Sequence, residues 1–195
     1  MAREQEFDTD DALEKATKIF WSQGYKKSSV RQLQEAMDIG ESSFYNSFKS
    51  KKNLYLKCLE NYNAKVTASR MKAFQSNKST KMKLKDFFNI IASDQNHTSL
   101  LKGCLMTNSL SSEVLSDDEI KNYIVDQFEK YREHFNNLFL NAIKNNELPK
   151  NFDTKSASEL IIIHIQGIFK LSLISKDFKE IKKSSALLIN LLGLK

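Results

Sequence analysis

Only one proline, Pro149, and five glycines interrupt 195 residues. These are the residues that end helices and build tight turns, and a strand-rich chain needs many of them. A chain so poor in breakers has room for long helices and little room for hairpins. The expected fold is therefore all-α, with about nine helices. Apolar residues make up 41% of the chain, enough for several helices to share a core.

Hydrophobic spacing locates the helices. Leu13, Ala16, Phe20 and Trp21 fall on one helical face. Thr9 is the expected cap of that helix, Asp10 and Asp11 complement its dipole, and Gly24 is expected to end it. Ser29 with Gln32 has the spacing of a capping box. Val30, Leu33, Ala36 and Met37 then supply the inner side of a short second helix. After a turn, a third helix starts near Glu41, with Phe44 and Phe48 four apart as its inward anchors. Two short helices joined by a tight turn form a helix-turn-helix.

Ser50 is the expected cap of a fourth helix, with Leu54, Cys58 and Tyr62 on one face and an end near Gln75. A polar connector, Ser76–Thr80, leads to a helix carrying Leu84, Phe87, Phe88 and Ile91. Residues 94–101 read as a loop and a short helix follows Gly103. A long helix spans about Asp117 to Asn145, before Pro149. Two terminal helices, about Thr154 to Ile174 and Phe178 to Leu192, are apolar around much of their circumference. One side of that pair can face its own core and the other a second copy of the chain. Ile161, Ile165, Ile168, Leu188, Leu191 and Leu192 are the residues expected at the interface. The expected domains are 1–49, a DNA-binding head, and 50–195, a helical dimerisation domain.

Charge is localised. The chain carries a net +6, and residues 15–57 hold nine basic residues against three acidic ones. The first 14 residues carry six acids and one arginine. A basic stretch over a helix-turn-helix favours nucleic acid. Other classes fit poorly. His97, His134 and His164 are scattered, there is no glycine-rich phosphate loop and no nucleophile–base pattern, so an enzyme is not expected. Cys58 and Cys104 fit no zinc or redox spacing, and no metal or cofactor is expected. No apolar run reaches a membrane span, the acidic N-terminus is unlike a signal peptide, and a cytoplasmic location is expected.

The stretch from Ser28 through Arg31-Gln-Leu-Gln-Glu-Ala-Met-Asp-Ile-Gly-Glu-Ser-Ser-Phe-Tyr-Asn to Tyr55 resembles the head of TetR/AcrR-family transcriptional regulators. Ala16, Ile19-Phe20 and Gly24-Tyr25 match the same family's first helix, and the likeness runs over residues 12–56. Lys102-Gly-Cys-Leu-Met-Thr-Asn-Ser109 resembles a segment found in one branch of the family. Two positions depart from the pattern: Asp38 stands where the family has a turn glycine, and Gln34 where it has a small alanine. Asp tolerates the left-handed backbone such a turn needs.

The residues themselves suggest DNA chemistry. Ser28 and Ser29 stand where free backbone N–H groups can meet a phosphate, and Arg31 is near enough to reach a base or a phosphate. On the third helix, Ser42 and Ser43 let the backbone approach a groove, Asn46 suits adenine, and Glu41 can accept from a cytosine amine. Lys49 adds charge at the corner. The resemblance implies that Tyr45 touches the DNA backbone and that Lys51 binds phosphate. It also implies a homodimer on double-stranded DNA, a small-molecule cavity in the larger domain, and repression relieved by ligand. Cys104, Met106, Phe128, Tyr131 and His164 are the candidate signal-sensing residues, Cys104 because a helix start beside Lys102 favours a thiolate. The alternative is a helix-turn-helix adaptor that binds protein and not DNA.

Overall fold

The computed structural model describes residues 7–92, 103–174 and 178–195. Among them are only helices and turns. They are α1 (Thr9–Lys27), α2 (Val30–Met37), α3 (Glu41–Phe48), α4 (Lys51–Tyr62), α5 (Thr80–Ala92), α6 (Leu105–Asn108), α7 (Ser112–Leu115), α8 (Asp118–Lys144), α9 (Thr154–Leu171) and α10 (Phe178–Leu191). Beyond α4 the chain stays helical but irregular. A π turn (Asn63–Thr67), one α turn (Ala68–Met71) and a 3₁₀ turn (Lys72–Gln75) carry it to the residue expected from the sequence. Residues 94–101, read as a loop, and Lys102 lie outside the described residues.

The chain divides into two compact units. The first holds the residues up to Thr67 together with Asn108–Tyr123; the second holds Ala68–Thr107 and Ile124–Lys195. The head thus shares its unit with α4 and with the segment that leads into α8.

In the first unit, Asp8 and not Thr9 caps α1, its carboxylate accepting from the N–H groups of Asp10 and Asp11. Gly24 breaks the helical path at φ 80°, ψ 170° without ending it, and α1 resumes to Lys27. That conformation suits glycine alone. Ala12, Ala16 and Phe20 of α1 are buried with Leu33, Met37, Phe44, Phe48, Leu54, Tyr55 and Cys58. The Phe20 and Tyr55 rings meet edge-on at 4.8 Å. Polar ties complete the unit: Tyr55 and Ser109 share a buried hydrogen bond of 2.5 Å, and Lys52 pairs with Glu119 at 2.7 Å and Asp117 at 3.6 Å.

In the second unit, α5 packs on α10, and the core contains Leu84, Phe87, Phe88, Ile124, Phe135, Phe139, Ile162 and Phe169. Glu147 accepts from the Thr80 N–H at the start of α5. The Arg70 guanidinium lies over the Phe169 ring at 4.9 Å.

The outer face of the terminal pair differs from the expected one. Ile161, Ile165, Ile168, Leu188 and Leu192 are buried within the single chain, and of the expected set only Leu191 is open, at 75% exposure. The face turned to solvent instead carries Leu160, Ile163, Leu171 and Ile174 of the α9 side, with Leu187 and Leu191 of α10. A groove of about 500 Å³ runs along it past Ile163, Gly167, Leu171 and Ile181.

Burial holds the imidazoles of His134 and His164 below the ordinary histidine range. The Phe74 ring packs against His134 at 4.9 Å, and His134 Nε2 has no hydrogen-bond partner among the described residues. An unfolded chain takes up protons near pH 6.5 that these folded sites resist. Stability present above that pH is therefore lost as pH falls toward the depressed folded values. Acidification from about pH 7.5 to 5.5 should lower the melting temperature less in His134→Leu than in the unaltered protein, because the variant has one such site fewer.

Candidate nucleic-acid interface

The second helix is fixed by its own sequence. Ser29 Oγ accepts from the Gln32 N–H at 3.1 Å, and Gln32 Oε1 accepts from the Ser29 N–H at 3.1 Å, completing the capping box. At the other end Asp38 adopts φ 58°, ψ 46°, the left-handed conformation the family's glycine would supply. The Ile39 N–H then closes the helix by donating to the Gln34 carbonyl at 3.1 Å. Gly40 precedes α3, so the turn is three residues long. A cleft of about 360 Å³ between α2 and α3 is bordered by Arg31, Glu35, Asp38 and Glu41.

The third helix is held from inside. Phe44 and Phe48 are buried and their rings lie 5.9 Å apart. Its outer side presents Glu41, Ser42, Tyr45 and Asn46 to solvent, with Ser43 half-buried beside them. Tyr45 is 44% exposed, and its ring meets Phe44 edge-on at 5.2 Å. That contact braces the ring while part of the side chain stays open to solvent.

The flanking residues separate into two groups. Ser28 does not face outward. It is fully buried and its hydroxyl donates to the Gly24 carbonyl at 2.7 Å, spanning the break in α1. Burial, not phosphate binding, explains that serine. Ser29 is exposed, but its hydroxyl is engaged in the cap. Arg31 and Lys49 are exposed, and Lys49 turns the corner into α4 at φ 64°. Lys51 stands in the first turn of α4, half-buried, with Nζ 4.5 Å from the centroid of the Tyr25 ring and 3.5 Å from the Lys26 carbonyl. Partial desolvation lowers its pKa from the ordinary lysine value. The aromatic seat holds the ammonium in place, and nothing in the spacing of Tyr25 and Lys51 announced it. Neighbouring Lys52 is tied to Asp117 and Glu119 and so differs from Lys51 in role.

The sensing candidates all fall in the second unit. Cys104 is 8% exposed just before α6, and Met106 is buried within it. Phe128 and Tyr131 meet edge-on at 6.1 Å. His164 shares a hydrogen bond of 3.0 Å with Ser185, and the Phe88 ring packs against it at 5.3 Å. Among the described residues no group of three metal-ligating side chains occurs, and no helix is long and apolar enough to cross a membrane.

A fixed α2, a left-handed turn and an outward polar α3 flanked by cations form a helix-turn-helix. Residues 12–58 match the family profile described as bacterial regulatory proteins, tetR family. That match covers the head alone, and through it the chain is similar to the tetR family of bacterial regulatory proteins. It is 27% identical over 167 residues to the HTH-type transcriptional repressor ComR of Escherichia coli (strain K12), covering 85% of this chain and 80% of that protein. It is 26% identical over 176 residues to the HTH-type transcriptional regulator YezE of Bacillus subtilis (strain 168), covering 90% of each. Among solved structures, a cysteine mutant of the TetR family transcriptional regulator CifR, complexed with 26-bp operator DNA, superposes with a TM-score of 0.86. It is 20% identical, over 96% of this chain and 98% of that one. A TetR-family regulator from Cytophaga hutchinsonii gives 0.82 at 16% identity, over 97% and 98%. The all-α fold, an N-terminal helix-turn-helix head followed by a helical domain, is shared with both.

Proposed function

We propose that this protein is a homodimeric repressor that binds a palindromic operator and is released from it by a small-molecule or electrophile signal. In this reading the head, residues 1–49, reads DNA, and residues 50–195 bind the signal and pair the two copies. The observation that carries it is the outer side of α3. Glu41, Ser42, Tyr45 and Asn46 stand in solvent on a helix whose inner side is locked by two phenylalanines. A short polar helix held this rigidly, beside a seated Lys51, suits a major groove with phosphate contacts on its flank. Two heads about 34–36 Å apart, or a multiple, would meet half-sites on one face of the duplex. A signal that favours another spacing lowers DNA affinity by linkage.

The test is selection of genomic fragments by the purified protein at moderate salt. An enriched palindrome is the expected result, with affinity falling steeply as salt rises because phosphate contacts release counterions. Tyr45→Ala and Lys51→Ala should weaken binding to all sequences, and Lys51→Ala should reduce the salt slope by about one. Asn46→Ala should relax preference at a single base pair. Enrichment of no DNA, or full affinity in both the Tyr45 and Lys51 variants, would sink the reading.

The electrophile arm rests on the contrast between two thiols. Cys58 is fully enclosed and burial pushes its pKa up to about 12. Cys104 sits at the beginning of a short helix with a small opening to solvent. A thiol reagent on the native protein should label Cys104 and spare Cys58, and the labelled protein should lose operator affinity. Labelling that leaves affinity unchanged removes Cys104 from signalling and leaves the small-molecule arm standing.

A further inference from the structure

Arg31 is the only cation in α2. The residues around it are committed elsewhere: Ser28 is buried, and Ser29 and Gln32 bond each other in the cap. The Arg31 side chain is 88% exposed yet not loose, because its Nε donates to Glu35 Oε1 at 2.8 Å, one turn along the helix. We propose that Glu35 is a positioning residue that presents Arg31 end-on to a guanine of the operator. The inference rests on the DNA-reading role proposed above.

The chemistry follows from which nitrogen is used. A guanidinium carries five N–H donors in a planar fork. Glu35 engages the side edge through Nε. The remaining end edge, the two Nη groups, is the pair that matches O6 and N7 of guanine. A freely rotating exposed arginine loses its rotamer freedom on binding, whereas one already held across a helical turn loses less. The pairing also accounts for an acid in an unfavourable place. Glu35 stands with Asp38 and Glu41 around the cleft between α2 and α3. A carboxylate there weakens attraction to any phosphate backbone. A residue that lowers general affinity and orients a base-reading arginine shifts the balance from general binding toward sequence-dependent binding.

The experiment is competition binding of purified full-length protein to its selected operator and to operators altered one base pair at a time. It compares the unaltered chain with Arg31→Ala, Glu35→Ala and Glu35→Gln. Arg31→Ala should lose preference at one G·C pair by about 5- to 150-fold, the discrimination of one bidentate contact. Glu35→Ala should flatten preference at that same pair by about twofold or more, the scale of an exposed i,i+4 pair, while binding unrelated DNA more tightly. Glu35→Gln keeps an oxygen acceptor for Nε and should retain most of the preference. A merely structural Glu35 would not move the ranking of one base pair. If Glu35→Ala tightens binding to all sequences alike with that ranking intact, Glu35 is a charge only and the proposal is overturned. It is also overturned if Arg31→Ala keeps every base preference. An unaltered protein that selects no DNA overturns the proposed function itself, and that outcome is recognised before any variant is made.

Discussion

Phe44→Ala will destabilise the head by about 3–5 kcal/mol, the range for removing a buried aromatic ring from a core. The position is fully enclosed, with Phe48 and Tyr45 as ring neighbours at 5.9 Å and 5.2 Å. The effect should exceed that of an average core truncation in its consequence, because α3 has little else to hold it. It is eight residues long, well below the length at which an isolated helix is stable in water. Its cap is Gly40, which offers no side-chain hydrogen bond. Packing through Phe44 and Phe48 is what keeps it helical. Tyr45, braced by its edge contact with Phe44, loses its support at the same time. The variant should show a lowered denaturant midpoint and no operator binding at a temperature where the unaltered protein binds. Tyr45→Ala is the control: at a half-exposed position it should lower the stability by less than about 1 kcal/mol while still weakening DNA binding. A Phe44→Ala protein with an unchanged midpoint would show that α3 is held by something other than its inner face.

The elements legible in the sequence are those whose physics is local. The Ser29–Gln32 box, the left-handed Asp38 and the Phe44/Phe48 pair each follow from residues at most four apart, and the structure contains each of them. Ser28 is buried where its position suggests an open phosphate site, because the break at Gly24 turns its hydroxyl back onto that carbonyl. Spacing alone makes Ser28 and Ser29 look equivalent at a helix start. Lys51 shows a gain of the same kind: resemblance pointed to the residue, but its seat over Tyr25 comes from α1 meeting α4, a contact separated by about 25 positions. The Arg31–Glu35 pair has the spacing of four that allows an ion pair, but such pairs on helix surfaces are common and weak, so spacing alone does not single it out. The terminal helices were harder for a different reason. When a helix is apolar nearly all round, periodicity gives two faces and does not say which is inward. Ile161, Ile165 and Ile168 form one stripe and Ile163, Gly167 and Leu171 the other, about a third of a turn apart. Only the packing of α5 and α8 decides between them.

Leu191→Asp will convert the proposed dimer to a monomer, and Ile161→Asp will instead unfold the chain. Both change a leucine-like side chain to a carboxylate on the terminal pair. They differ in which stripe they strike. Leu191 is 75% exposed and Ile163 is 59% exposed, so in a lone chain a charge at position 191 meets water. Leu160, Leu171, Ile174 and Leu187 are open as well, and exposed apolar side chains gathered on one face mark an interface. Burying one such side chain contributes about 1.5–3 kcal/mol, and each dimer would lose that contribution twice and would also have to desolvate two carboxylates. The dissociation constant should rise by at least about two orders of magnitude, read by sedimentation equilibrium. Helix content and melting of the monomer should stay near those of the unaltered chain. Operator affinity should fall with dimerisation, by about 10²–10⁴-fold, because each head then binds its half-site without the help of the other. Ile161 is fully enclosed, so a carboxylate there has no water to turn to and must unfold the unit or remain protonated. A Leu191→Asp protein that remains a dimer would place the interface elsewhere and would leave the open stripe of α9 and α10 to another partner.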